Sequence, residues 1–226
     1  MARPRALDYD DKRLAILARS AELFADRGYA RTTMSEIAEA CGISKGLFYH
    51  YYASKEALLY DMLASHLGRL ADAVAIADDR ALSPEPRLKR MVSAVLAVYE
   101  DADALHKVQM NDLDILPSTQ QDELRAIERE IVERFAAALV EINPALKSGR
   151  RLLKPVTMSL FGMMNWHHTW FRPDGALTRD GYADLAVSMI VAGARALDAD
   201  APPLPLPVKR SETGRGSCRR HASGKR

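Results

Sequence analysis

Between Cys41 and Glu56 the chain reads CGISKGLFYHYYASKE, which puts one lysine, one histidine and four aromatic rings between Ser44 and Tyr52, on a single short helical run. Lys45 offers an ammonium, Tyr49 and Tyr51 offer hydroxyls, and His50 offers an imidazole. Groups of this kind donate to phosphate oxygens and to the acceptor edges of bases. Rings at Phe48, Tyr49, Tyr51 and Tyr52 point around most of a helix, so one core stripe cannot bury them all. Phe48 and Tyr52, four apart, share a face and are expected inside. Lys45, Tyr49, His50 and Tyr51 remain outside.

The other residues with reactive side chains form no comparable group. Cys41 and Cys218 are too far apart for a disulfide framework or a metal spacing. His167 and His168 are neighbours that diverge on a helix, with no carboxylate or thiol three or four residues on. His106 or His167 could act as a base in a small all-α enzyme, but no nucleophile–base pair, phosphate loop or metal spacing accompanies them. No cofactor or metal is expected.

Charge is uneven along the 226 residues. Residues 1–55 carry nine Lys/Arg against seven Asp/Glu (+2), residues 56–206 carry 16 against 22 (−6), and residues 207–226 carry seven against one (+6). A mildly basic head on an acidic body suggests a polyanion partner at one end. No apolar run approaches the roughly 18 residues of a membrane span, and the N-terminus lacks an apolar signal region. The expectation is a cytoplasmic protein without membrane contact.

The elements that must hold these residues follow from a dominant 3.6-residue period, which predicts an all-α chain of about nine helices. Residues 11–27 repeat apolar groups at Leu14, Leu17, Ala18, Ala21 and Phe24 and stop at Gly28. Thr33 and Glu36 form a capping box for a short helix ending near Ala40, and Ser44 caps the next. The glycine-containing turn between them gives a helix-turn-helix, with Ile37, Ala38, Ile43 and Leu47 locking the pair. Ser54 caps a long helix bearing Leu59, Met62, Leu63, His66, Leu67 and Leu70. Later helices are predicted from Ser83-Pro84, over Leu105–Leu113, from a second capping box at Ser118–Gln121, over Arg150–Phe171 and over Asp180–Leu197.

The stretch GYARTTMSEIAEACGISKGLFYHYYASKEALL resembles the DNA-binding domain of the TetR (tetracycline-repressor-like) family of bacterial transcription regulators. The match is dense over residues 12–60, from Gly28-Tyr29 and Thr32-Thr33 through Ser44-Lys45-Gly46 and Phe48-Tyr49 to Ser54-Lys55-Glu56. It implies double-stranded operator DNA as partner, with Tyr49 on a backbone phosphate and the neighbouring rings over sugars and thymine methyls. Lys45 is the candidate for guanine O6/N7, and Gly46 lets the helix approach the groove. Thr33 and Lys55, at helix N-termini, are expected on phosphates. Ser44, Leu47, His50 and Tyr51 complete the DNA-facing set. The resemblance divides the chain into a flexible basic arm (1–10), the helix-turn-helix domain (11–56) and a ligand-binding and dimerisation domain (57–198), and the Pro-, Ser-, Gly- and Arg-rich composition from Ala199 predicts a disordered basic tail (199–226).

Beyond Leu70 the resemblance is carried by NWHHTWFRPDGALTRDGYADLA, similar to a TetR subgroup whose members regulate lipid, sterol side-chain and phenylacetate catabolism and respond to acyl-CoA thioesters. It implies a ligand-released homodimeric repressor rather than an enzyme, with an apolar or acyl-CoA effector. A multidrug-type regulator of hydrophobic cations is the second reading. Phe161, Trp166, Trp170, Met189 and Gly193 are the candidate dimer contacts. Met91, Val95, Met110, Leu113, Phe135, Leu139, Met163, Met164 and His167 are the candidate pocket lining, because methionines adapt to an apolar cavity between helices.

Overall fold

Two glycines place the first bends of the chain. Gly28 (φ +86°) and Gly42 (φ +67°) both sit in the left-handed region, which a β-carbon makes costly. Gly28 closes the first helix, with its N–H donating to the Phe24 carbonyl at 2.9 Å. Gly42 turns the chain between the second and third helices.

The computed structural model describes residues 4–100, 102–148, 152–172 and 174–197, with side chains described from Tyr9 onward. Nine α-helices are present among them: α1 Pro4–Arg27, α2 Met34–Ala40, α3 Lys45–Tyr51, α4 Lys55–Ala77, α5 Pro84–Glu100, α6 Asp103–Asp112, α7 Ser118–Ile142, α8 Leu153–Trp166 and α9 Arg179–Ala196. Short 3-10 turns follow α6 (Leu113–Ile115), α7 (Pro144–Lys147) and α8 (His167–Thr169). Among the described residues no helix is long and apolar enough to cross a membrane.

Several local expectations change. The basic arm assigned to residues 1–10 is helical from Pro4, because Pro suits a first helical position and α1 continues unbroken into its buried part. Residues 1–3 and the tail 199–226 lie outside the described residues. The buried stripe of α1 runs through Ile16, Leu17, Ser20, Ala21, Leu23 and Phe24, leaving Leu14 and Ala18 outside. Ser118 makes no capping bond. Gln121 instead sends its amide to the carbonyls of Asp114 and Leu116, tying α7 to the preceding turn. The helix expected over Arg150–Phe171 ends at Trp166, where the Thr169 hydroxyl and the His168 ring donate to the Trp166 and Asn165 carbonyls.

α4 is the spine. Leu58, Leu59, Met62, Leu63, Leu67, Leu70 and Val74 on it are buried, and the helix packs on α1 as well as on α5, α6 and α7. One continuous buried cluster therefore joins the regions on either side of residue 56. The boundary drawn there cuts through no gap in packing. At its far end α4 is anchored by a buried ion network. The Arg87 guanidinium, 1% exposed, meets Asp78 at 3.3 Å and Glu141 at 2.9 Å, and Arg134 reaches Asp78 at 3.3 Å. Burying one of these charges without its partner is expensive, so the network fixes α4 against α5 and α7.

Candidate nucleic-acid interface and ligand cavity

α2 and α3 are seven residues each, too short to hold their shape without caps. The caps are present. Thr33 Oγ1 accepts from the Glu36 amide at 3.2 Å while the Glu36 carboxylate accepts from the Thr33 amide at 2.7 Å. Ser44 Oγ accepts from the Leu47 amide at 3.2 Å. Across the turn, the Ile43 amide donates to the Ala38 carbonyl at 3.1 Å. Ile37, Ala38 and Phe48 are buried, which fixes the face that α3 must show outward.

That outward face carries the candidate DNA contacts. Ser44, Lys45, Gly46, Leu47, Tyr49 and His50 are all exposed, and Tyr49 keeps 51% of its surface free. A methyl group at Gly46 would meet no atom of the chain within 4 Å, so nothing inside the fold requires a glycine there. Leu47, expected also to help lock the two helices, is 42% exposed and belongs to the outward set. Thr33 is exposed beside Glu36. Tyr51 differs from its neighbours: it is half-buried and stacks on Tyr9 of α1 at 4.7 Å. The start of α1 therefore braces the end of α3.

Lys55 requires a correction. Its ammonium donates to the Tyr29 carbonyl at 2.8 Å and the Thr32 carbonyl at 2.9 Å, and it lies 4.3 Å from the centre of the Tyr29 ring. Two of its three donors are thus engaged inside the protein, where it ties α4 to the α1–α2 loop. A second tie joins Arg13 of α1 and the buried Tyr52 hydroxyl to Asp61 of α4, with Tyr52 at 2.6 Å and Arg13 Nε at 2.8 Å. Burial and the Asp61 carboxylate push the Tyr52 hydroxyl well above the usual phenol range. Sequence reasoning missed Arg13 and Asp61, since contacts across 48 residues leave no local pattern.

Between α4, α5, α6, α7 and α8 lies a cavity of about 240 Å³. Leu67, Leu70, Val95, Ile131, Val132, Met110, Met158 and Phe161 form its apolar wall, and Tyr99, Gln109, Glu128 and Asn165 its polar part. It shares Met110, Met158, Phe161 and Asn165 with an outer groove of about 480 Å³ between α6 and α8, rimmed by Lys107, Asn111, Trp166 and His168. Of the expected pocket residues only Val95 and Met110 line the cavity. Met91, Phe135, Leu139 and Met164 are core side chains that do not line it, and Leu113 is buried in the turn after α6. Met163 is half-buried outside it, its carbonyl accepting from the Tyr182 hydroxyl. His167 is buried elsewhere, against Phe171 (4.2 Å) and Tyr182 (5.0 Å). A legible signal did exist for the missed polar residues. Glu128 interrupts the α7 stripe Leu124–Ile131–Phe135, and Asn165 interrupts the α8 stripe Met158–Phe161.

Phe161, expected at a dimer contact, instead points inward onto Phe135, ring centres 5.1 Å apart. Helix α8 is apolar around its girth, so periodicity could not tell its inner from its outer face. Its outer face shows Trp166, 66% exposed, and α9 beside it shows Leu185, Met189 (56% exposed) and Gly193. Trp170 is half-exposed, with one side against Tyr182 at 5.1 Å.

Comparison with known proteins matches two stretches of the chain. Residues 16–62 match the family described as bacterial regulatory proteins, tetR family, and residues 81–194 match the tetracyclin repressor-like C-terminal domain. A solved TetR-family transcriptional regulator from Bordetella parapertussis 12822 is 35% identical, covering 79% of this chain and 93% of its own, with a TM-score of 0.74. AibR, solved in complex with isovaleryl coenzyme A and operator DNA, is 26% identical over 79% of this chain and 97% of its own, with a TM-score of 0.68. The transcriptional repressor KstR2 of Rhodococcus jostii (strain RHA1) is 27% identical over 191 residues, 80% of this chain and 90% of that protein. Four other curated relatives match over only about half of their length or less. With both its halves matched and the same fold throughout, this chain belongs to the TetR family of DNA-binding transcriptional regulators.

Proposed function

We propose that the protein is a cytoplasmic, homodimeric repressor that holds operator DNA through α3 and lets go when a small effector fills the cavity between α4 and α8. One observation carries this reading. α4 starts at the helix-turn-helix, tied to it by Lys55 and Asp61, and the same helix walls the cavity with Leu67 and Leu70. An effector that pushes on α4 therefore reaches both recognition helices of a dimer. It releases DNA only by binding the spacing that does not fit DNA more tightly than the one that does.

In this reading Lys45 reads a base edge, and Thr33, Ser44 and Tyr49 hold phosphates, with Gly46, Leu47, His50 and Tyr51 against the groove. Two copies pair through the outward face of α8 and α9, at Trp166, Met189 and Gly193, with Trp170 at its edge. Pairing sets the two α3 helices about 34–36 Å apart for successive major grooves. The protein carries out no catalysis. The effector is an acyl thioester, a class supported by AibR, whose structure contains isovaleryl coenzyme A. A hydrophobic cation is the second reading, favoured by the Glu128 carboxylate in the cavity wall. The test is release of the protein from the DNA upstream of its own reading frame. Acyl-CoAs, free acids and hydrophobic cations are each titrated into the complex, and release by thioesters alone supports the first reading. Release by cations alone replaces it with the second.

A further inference from the structure

The polar part of the cavity is unequal in donors and acceptors, and that inequality bears on what the effector must carry. Gln109 sends its amide N–H to Glu128 Oε1 at 2.8 Å, which fixes the orientation of the amide. Its carbonyl oxygen Oε1 is then left buried with no partner. Behind it, His106 donates from Nε2 to the Asn165 carbonyl at 3.2 Å, because a carbonyl can only accept. That leaves His106 Nδ1 a bare, buried acceptor. His66, 1% exposed and 6.5 Å from the His106 ring, has neither nitrogen partnered. The Tyr99 hydroxyl already donates to Asn165 Oδ1 at 3.0 Å. Neither histidine ring lines the cavity, so among its polar wall residues the one buried group left unmet is an acceptor, Gln109 Oε1, and a buried group without its partner costs about 1–3 kcal/mol.

We infer that the effector carries a hydrogen-bond donor, a hydroxyl or a protonated amine, on its apolar body, aimed at Gln109 and Glu128, and that a free carboxylate is rejected. This rests on the reading of the cavity as the effector site and goes further by naming the group that the site selects. Three observations exclude the anion. Among the described residues no lysine or arginine lines the inner cavity. Lys107, on the rim of the outer groove, has its ammonium on the Ala25 carbonyl at 2.7 Å. Burial holds the His66 and His106 rings down to about 3 and about 4, so at neutral pH neither supplies a positive charge. A thioester whose acyl group bears a hydroxyl meets the same requirement as an apolar alcohol or amine.

The experiment is calorimetric titration of the full chain with 1-octanol, octylamine and octanoate, which share a body and differ in the head. Octanol or octylamine should bind at least about tenfold more tightly than octanoate, the ratio that one or two hydrogen bonds can supply. Gln109→Leu should lower that preference for both, and Glu128→Gln should lower it for the amine alone, which separates the hydroxyl from the ammonium. Octanoate binding as well as the others, or a preference that survives both substitutions, overturns the inference. Val132→Trp, at a half-buried wall position, tests the underlying site. If it blocks all three probes while octanoate was the tightest, only the inference fails. If it blocks none, the cavity is not where they bind and the reading it rests on fails too.

Discussion

Replacing Lys55 with methionine keeps the aliphatic stem and deletes the ammonium that joins α4 to the α1–α2 loop. The wild-type group makes two charged hydrogen bonds, to Tyr29 at 2.8 Å and Thr32 at 2.9 Å, and lies over the Tyr29 ring. Hydrogen bonds to charged groups contribute about 1.5–3 kcal/mol each, but both bonds are only part-buried, so the sum is discounted. We expect a loss of about 2–3 kcal/mol. For a chain of this size each kcal/mol moves the melting midpoint by about 2–4 °C, which gives a drop of about 4–12 °C. Thermal unfolding followed by circular dichroism reads this directly. Parallel DNA titrations at several salt concentrations should show an unchanged slope for the folded fraction, since the lysine is held away from phosphates. An unchanged melting point together with a slope smaller by about one would refute the argument, because that is the signature of a lost phosphate contact.

Three further outcomes follow from the same geometry. Lys45→Ala should cost about 1–3 kcal/mol on cognate DNA and little on random duplex, relaxing one base position, as read by competition binding. Met189→Glu should give folded monomers at micromolar concentration by light scattering, because the exposed α9 face would have to bury a charge to pair; Phe161→Glu should instead unfold the protein, since Phe161 packs inside on Phe135. Acid should destabilise the fold early. His66 and His106 are neutral when folded, held down to about 3 and about 4, and regain the ordinary value of 6.5 when unfolded. The unfolded chain therefore binds more protons below pH 6.5, and stability should fall by up to about 1.4 kcal/mol per pH unit for each ring as pH drops toward 4. Urea unfolding at pH 7 and pH 5 should show this, with His66→Phe flattening the slope.

What could be read from sequence was whatever depends on neighbours in the chain. The caps at Thr33, Ser44, Ser54 and Thr178 form where their side chains are followed by a free amide two or three residues on. Gly28 and Gly42 turn the chain, and Phe48 and Tyr52 are buried, because a short helix with two inward rings leaves few arrangements. What stayed hidden depends on residues far away. A lysine at a helix N-terminus looks the same whether it meets a phosphate or the carbonyls of Tyr29 and Thr32. The cavity falls where five helices fail to fill space, so its wall takes Val132 and Met158, which no spacing singled out, and passes over Met163 and His167, which composition favoured. Polar residues set into apolar stripes, Glu128 and Asn165, were the one sign of it.

Specific DNA binding by α3 is the property on which all the others depend. Fluorescence anisotropy of wild-type protein on the duplex upstream of its own reading frame, against a random duplex of equal length at the same salt, measures it. Cognate binding should be at least about a thousandfold tighter than random. Equal affinity for the two, falling in parallel as salt rises, would contradict it.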